Sequence, residues 1–190
     1  MEPRELIQAL TVAERLKDTT RHCYTSGGRH ESVAEHCWMC ALMAFFMKDA
    51  FPEADMDKVI RMCLIHDLGE AFTGDIPSFY KTKDDEDREA QMLENWVDSL
   101  PHQISAEMQD LYREMEARET LEARIYKTID GLEAVLQHNF SDLSTWLPNE
   151  YTLNQTYAQD RVGFSPWLTQ LREEMRQDTL EKIENAKKEG

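Results

Sequence analysis

His36, the adjacent His66 and Asp67, and Asp130 bring imidazole and carboxylate groups from three separated stretches of a 190-residue chain. These are the side chains from which proteins assemble sites for divalent cations. The second stretch reads His66-Asp67-Leu68-Gly69-Glu70, with an acid one helical turn beyond the histidine, as a hydrolytic metal centre would need. Neighbouring side chains on a helix diverge by about 100°, so His66 and Asp67 share a cation only if it lies between their two directions. The other ligands must then come from other helices. His36 and Asp130 suit that task, because each sits in an apolar helical pattern where an unpaired polar group costs about 1–3 kcal/mol. Taken singly, a histidine at a helix start or an aspartate at a helix end is far more often a cap or a satisfied core polar group. The ordered set is the stronger signal.

The elements that must position these groups read as helices. Leu6, Ile7, Leu10, Val12 and Leu16 fall near one stripe over about Arg4 to Leu16. Asp18 to Glu31 follows as an irregular polar stretch with Gly27-Gly28, and alternating β-branched runs are nearly absent throughout. Ser32-Val33-Ala34-Glu35 has the form of a capping box, which starts a helix that carries His36 in its first turn and runs to about Asp49. A third helix, roughly Met56 to Ala71, delivers His66, Asp67 and Glu70 near its end, and Thr73-Gly74-Asp75-Ile76-Pro77 reads as the turn that stops it. Lys81 to Arg88 is a charge run, either a solvated loop or a helix start. Helices are expected over Glu89 to Leu100, Ser105 to Ala117 and Leu121 to Phe140, the last containing Asp130. Ser165-Pro166 opens a closing helix. The expectation is an all-α chain, a compact helical array forming one domain over residues 1–190, since neither repeat nor boundary interrupts it.

Composition narrows the function classes. Thirty-seven acidic residues against 21 basic ones give a formal charge of −16, so an extended contact with nucleic-acid phosphates would meet a repulsive field. A small anion remains an acceptable ligand if cations are concentrated locally. The N-terminus lacks the apolar run of a signal peptide and no window has the length of a membrane span, so a cytoplasmic location is expected, without a membrane partner. Cys23, Cys37, Cys40 and Cys63 lie in mostly apolar patterns. The Cys37-x-x-Cys40 pair has no second pair to complete a zinc site, so core packing is the expected role.

The ordered histidine, His-Asp pair and distant aspartate resemble the signature of the HD-domain metal-dependent phosphohydrolases. The stretches Glu31-Ser-Val-Ala-Glu-His36, His66-Asp-Leu-Gly-Glu-Ala-Phe-Thr-Gly-Asp-Ile-Pro77 and Lys127-Thr-Ile-Asp130 look like the bacterial 5′-deoxynucleotidase branch of that family. The resemblance covers about Leu16 to His138. It implies an all-α HD-type fold with His36, His66, Asp67 and Asp130 holding one divalent cation. It further implies that Glu70 and Asp75 act on the substrate side, Glu70 by orienting or deprotonating a metal-bound water. Arg21 stands fifteen residues before His36, where the family has a phosphate-binding arginine. Arg29 and Lys17 are weaker candidates for that electrostatic task. The branch tends to place tryptophan after this arginine, against the ribose 2′ position; here the residue is His22.

The reaction implied is hydrolysis of a nucleoside 5′-monophosphate, with a deoxyribose sugar as the family preference, to nucleoside and phosphate. Rival readings are a phosphatase for another small phosphorylated metabolite and a nucleotide-binding module without turnover. Binuclear relatives insert two further histidines between the His-Asp pair and the final aspartate, whereas this interval holds only His102, which follows Pro101 in an apparent connection between helices. One metal ion is expected, and two histidines with two carboxylates suit manganese, cobalt, iron or zinc better than magnesium. Phe79, Tyr80 and the Asp18 to Arg29 stretch are candidates for the base-facing wall. A homodimer is the family expectation, with Trp96, Trp146 and Trp167 placed either on a subunit contact or in the core.

Overall fold

The computed structural model describes residues 1–189, and helices dominate it. The first helix, α1 (Pro3–Ala13), is followed by a 3-10 turn at Glu14–Lys17. Its apolar stripe is only partly used: Val12 and Leu16 are buried, while Leu6, Ile7 and Leu10 remain about half exposed. The stretch expected to be irregular forms a small antiparallel hairpin, β1 (Thr20–Tyr24) with β2 (His30–Ser32). Its turn closes through the Thr25 amide donating to the Arg29 carbonyl at 2.7 Å, with Gly28 at φ +79°, a conformation that glycine adopts without steric cost.

From Ser32 the chain enters α2 (Val33–Phe46) through the expected capping box: the Ser32 hydroxyl accepts from the Glu35 amide while Glu35 reaches back to the Ser32 amide. The helix stops three residues short of Asp49, giving way to a 3-10 turn. Next, α3 (Met56–Ile65) ends earlier than expected, and Glu70 opens a separate one-turn helix, α4 (Glu70–Thr73). Between them His66 to Gly69 fold as tight turns, with the Leu68 amide bonded to Ile65 and the Glu70 amide to Asp67. The charge run is the start of a longer helix, α5 (Lys83–Asp98), capped by Thr82. Pro101 caps α6 (His102–Ala117), so His102 is an exposed first helical residue and not part of a connection.

The longest interior helix, α7 (Leu121–Phe140), packs against α2, α3, α6 and α9 (Pro166–Glu189), with a short α8 (Glu150–Thr156) between. Ile125, Ile129 and Leu132 of α7 are fully buried with Val59 and Met62 of α3, Ala44 of α2 and Leu168 of α9. Burying each of the larger aliphatic side chains contributes about 1.5–3 kcal/mol. A second apolar cluster joins Leu16, Val33, Cys37 and Leu68, which ties the hairpin side of α2 to the turn after α3. The two clusters clamp α2, the end of α3 and the middle of α7 together, and these segments carry the ordered histidines and aspartates.

Candidate metal centre and substrate cleft

His36 is fully buried in the first turns of α2, and its Nδ1 donates to Glu133 Oε2 at 2.5 Å. His66, at the end of α3, donates from Nδ1 to the Cys63 carbonyl at 2.8 Å. Each imidazole thus spends its proton on an outer acceptor and turns its Nε2 lone pair inward. The two Nε2 atoms lie 3.2 Å apart. Asp67 Oδ2 is 3.1 Å from the His66 Nε2 and 3.6 Å from that of His36. Asp130 Oδ1 lies 3.7 and 3.4 Å from the same two atoms, while its Oδ2 accepts from Lys127 Nζ at 2.7 Å.

This donor set fits a divalent ion. Ligand bonds of about 2.0–2.2 Å place neighbouring donors roughly 3 Å apart, and two lone pairs facing one another need a positive charge between them. The tethers on Nδ1 and on Asp130 are the outer partners that fix ligand tautomer and direction in metal sites. Burial works against ionisation of Asp67 and of Asp130. For Asp67, the positive charge of protonated His66 and His36 outweighs it; for Asp130, Lys127 and the two histidines do so, and both carboxyls are held well below the usual range while both imidazoles are raised above theirs. The space between the Nε2 atoms thus calls for positive charge, from a proton or from a cation. Cys40 and Cys37 also border the histidines, with Cys40 Sγ 3.7 Å from His36. Burial pushes the Cys40 thiol up to about 11, so it stays protonated at neutral pH and packs as an apolar neighbour. All four cysteines are buried and free, in the expected core role.

Asp67 and Asp130, with the two histidines behind them, line a cleft of about 360 Å³ together with Arg21, His22, Glu70, Asp75 and Phe79. Arg21, on β1, leans its Nε on Glu31 Oε2 at 3.2 Å and brings NH1 to 4.0 Å from Asp67 Oδ2. Glu70 is buried, and its Oε2 has no hydrogen-bond partner. Burial first, then the negative charges of Asp67 and Asp75, push its carboxyl up to about 10. Asp75 follows Gly74, whose φ of +79° makes the turn, and burial raises its carboxyl as well. Against the net negative charge, Lys81, Lys127, Arg118 and Arg161 join Arg21 along the same cleft.

Some expected residues take other places. Arg29 is exposed and forked onto Glu35, away from the cleft, and Lys17 is an exposed residue that does not line it. Tyr80 is 67% exposed and stacks edge-on against Phe79. Of the tryptophans, Trp146 is buried and bonded to His138, Trp96 is half-buried beside Phe72, and Trp167 is exposed near Phe51. The sequence reading missed Glu133 and Glu31, which tether His36 and Arg21. Both carried a signal: Glu133 is one turn beyond Asp130 inside an apolar helix, and Glu31 opens the stretch leading to His36. Also missed were His138 and Glu150 on the cleft wall.

The HD domain family matches residues 13–177. The chain belongs to that family. This HD-domain chain is 32% identical over 138 residues to 5′-deoxynucleotidase HDDC2 of Homo sapiens, covering 70% of its own length and 67% of the human protein. To 5′-deoxynucleotidase HDDC2 of Dictyostelium discoideum it is 27% identical, across 83% of this chain and 89% of that one. The crystal structure of a predicted metal-dependent phosphohydrolase from Magnetospirillum magnetotacticum superimposes with a TM-score of 0.80 at 27% identity, covering 94% and 95% of the two chains. The HD-domain chain is therefore a hydrolase with an all-α fold, in which a small hairpin is the one sheet among the described residues. None of its described helices is long and apolar enough to cross a membrane.

Proposed function

We propose that the chain is a phosphomonoesterase that converts nucleoside 5′-monophosphates, with deoxyribonucleotides preferred, to nucleoside and phosphate. The observation that carries this reading is the convergence of two imidazole Nε2 atoms on two carboxylates that line one cleft with Arg21 and Glu70. His36, His66, Asp67 and Asp130 would hold one divalent cation, of the manganese, cobalt, iron or zinc type in preference to magnesium. The chemistry such an ion supplies when bound is polarisation of a phosphoryl oxygen and a lower pKa for an attacking water.

The chain's own groups do the rest. Arg21, held in place by Glu31, grips the non-bridging phosphate oxygens and balances their charge as the water oxygen bonds to phosphorus and the bond to the 5′ oxygen breaks. Glu70, which lines the cleft and has an unpartnered Oε2, orients that water, and takes its proton only where positive charge beside Asp67 offsets the burial and the acidic neighbours that raise its carboxyl. Asp75 faces the sugar and the leaving 5′ oxygen. His22 lies where relatives are expected to carry tryptophan, against the sugar, and Phe79 contributes apolar wall beside it. The protein is read as a cytoplasmic homodimer taking a small-molecule substrate, with neither nucleic acid nor membrane as a partner.

The test is phosphate release from the full chain, stripped of metal and resupplied with manganese, cobalt, iron, zinc or magnesium in turn. Matched nucleoside monophosphates with 2′-hydroxyl and 2′-deoxy sugars are the substrates. Release from the 2′-deoxy series with a transition metal is the expected result. Tight nucleotide binding without phosphate release under every metal would overturn the hydrolytic reading, and equal turnover of both sugar series would overturn the deoxyribose preference.

A further inference from the structure

We propose that His22, His138 and Glu150 form a second cation site on the cleft wall, of the zinc class. It shares no residue with the His36 set and does not rest on the phosphomonoesterase reading. The three side chains come from β1, the last turn of α7 and the start of α8. Glu150 Oε1 lies 2.9 Å from His22 Nε2 and 3.1 Å from His138 Nε2.

The protons decide what this cluster can do. His138 Nδ1 donates to the Ala134 carbonyl at 2.8 Å, so in the neutral ring Nε2 carries a lone pair and no hydrogen. Glu150 Oε2 already accepts from the Leu147 amide at 2.6 Å, which leaves Oε1 as the free oxygen. His138 and Glu150 are 8% and 3% exposed, and neither His138 Nε2 nor Glu150 Oε1 has a hydrogen-bond partner despite their short separation. Two buried acceptors facing each other cost free energy unless a positive charge joins them. Two imidazoles and one carboxylate are the protein ligands of a familiar class of open zinc site.

The rings are also held in direction. The His138 ring meets the Trp146 indole edge-on at 5.6 Å, and that indole donates to the His138 carbonyl; His22 meets Phe79 edge-on at 5.5 Å. Since His22, His138 and Glu150 all line the cleft, an ion held among them would be reached from the cleft. Its remaining position would take a water, a hydroxyl or a ring nitrogen of a bound small molecule.

The experiment is zinc content by elemental mass spectrometry after metal-stripped full-length protein is equilibrated with zinc and dialysed. His22→Ala and Glu150→Gln are each expected to retain one zinc per chain fewer than wild type, whereas Asp130→Asn keeps the zinc at this cluster and loses the other. His22 is half-buried on a hairpin, so its removal leaves the helical core in place, and circular dichroism verifies folding of each variant. Zinc-edge anomalous scattering from a crystal grown with zinc locates the ion directly. Wild-type zinc content in both His22→Ala and Glu150→Gln, or an anomalous map without a peak among the three side chains, would overturn the proposal. Loss of zinc in Asp130→Asn alone is that same overturning result, since the other two variants then keep the wild-type content.

Discussion

His36 is gripped from two sides: Glu133 takes its Nδ1 proton, and Nε2 is left to face His66, Asp67 and Asp130. A carboxylate in that outer position raises the basicity of the ring and fixes its tautomer, and removing such a partner typically weakens metal affinity about 10–100-fold. Glu133→Gln keeps the shape and loses the charge. Titration of the stripped variant with manganese is therefore expected to give an affinity lower by about that factor, and unchanged affinity would show that the pairing with His36 is structural only. The proposed division of labour among the inner groups separates in another pair of variants. Asp67→Ala is expected to lose both metal and phosphate release. Glu70→Ala is expected to lose phosphate release while keeping the metal, because Glu70 is assigned to the water and not to the ion. Metal analysis beside a turnover assay reads both, and full turnover in either purified variant contradicts the assignment.

At the level of elements, the site depends on two close approaches that only glycine allows. A Cβ on Gly131, next to Asp130, would meet the Ala158 Cβ and Arg161 NH1 at 2.8 Å. Overpacking of this kind costs about 1–3 kcal/mol, so Gly131→Val is expected to lower the midpoint of thermal unfolding and to reduce metal affinity by shifting α7. A melt superimposable on wild type would show that the loop around Ala158 yields freely. Gly69 makes the matching approach to α5, where a Cβ would come within 2.7 Å of Glu89 Cγ. That contact also marks what the sequence did not reveal. The capping box at Ser32 and Glu35 and the apolar period of α7 are local signals, and both helices stand where those signals put them. The break after Ile65 goes with a bond that no periodicity announces: the His66 ring occupies the Cys63 carbonyl, which a continuing helix would offer to the Asp67 amide. So His66, Asp67 and Glu70 come together through turns and not along one helix face. The hairpin was hidden for a similar reason, because its register carries an irregularity between Thr20 and Tyr24 that erases simple alternation. His138 and Glu150 lie twelve residues apart, a spacing that signals nothing by itself; only the fold that brings the start of α8 to the end of α7 makes them neighbours.

For the whole molecule, charge and apolar surface set the terms. The net charge of −16 favours solubility, yet Arg21, Lys81 and Lys127 with Arg118 and Arg161 make the cleft the place where an anion is tolerated. The apolar surface points to the proposed homodimer. Trp38 and Phe45 are two helical turns apart on α2 and are 57% and 55% exposed, with Phe46 beside them at 74%. Scattered exposed apolar residues are ordinary, but Trp38 and Phe45 share one helix face, and the Phe45 ring meets that of Phe46 edge-on at 5.8 Å, so three exposed aromatic groups gather on one helix. The three tryptophans singled out from sequence are poorer candidates, since Trp146 is buried and Trp96 packs into the second apolar cluster. Light scattering coupled to gel filtration is expected to give twice the mass of one chain. Replacing Trp38, Phe45 and Phe46 together by serine is expected to give a monomer of unchanged helical content, since none of the three is buried in the core. A monomeric wild-type protein at every concentration tried would remove the dimer, and a dimeric triple variant would move its interface elsewhere, to the half-exposed Leu6, Ile7 and Leu10 of α1.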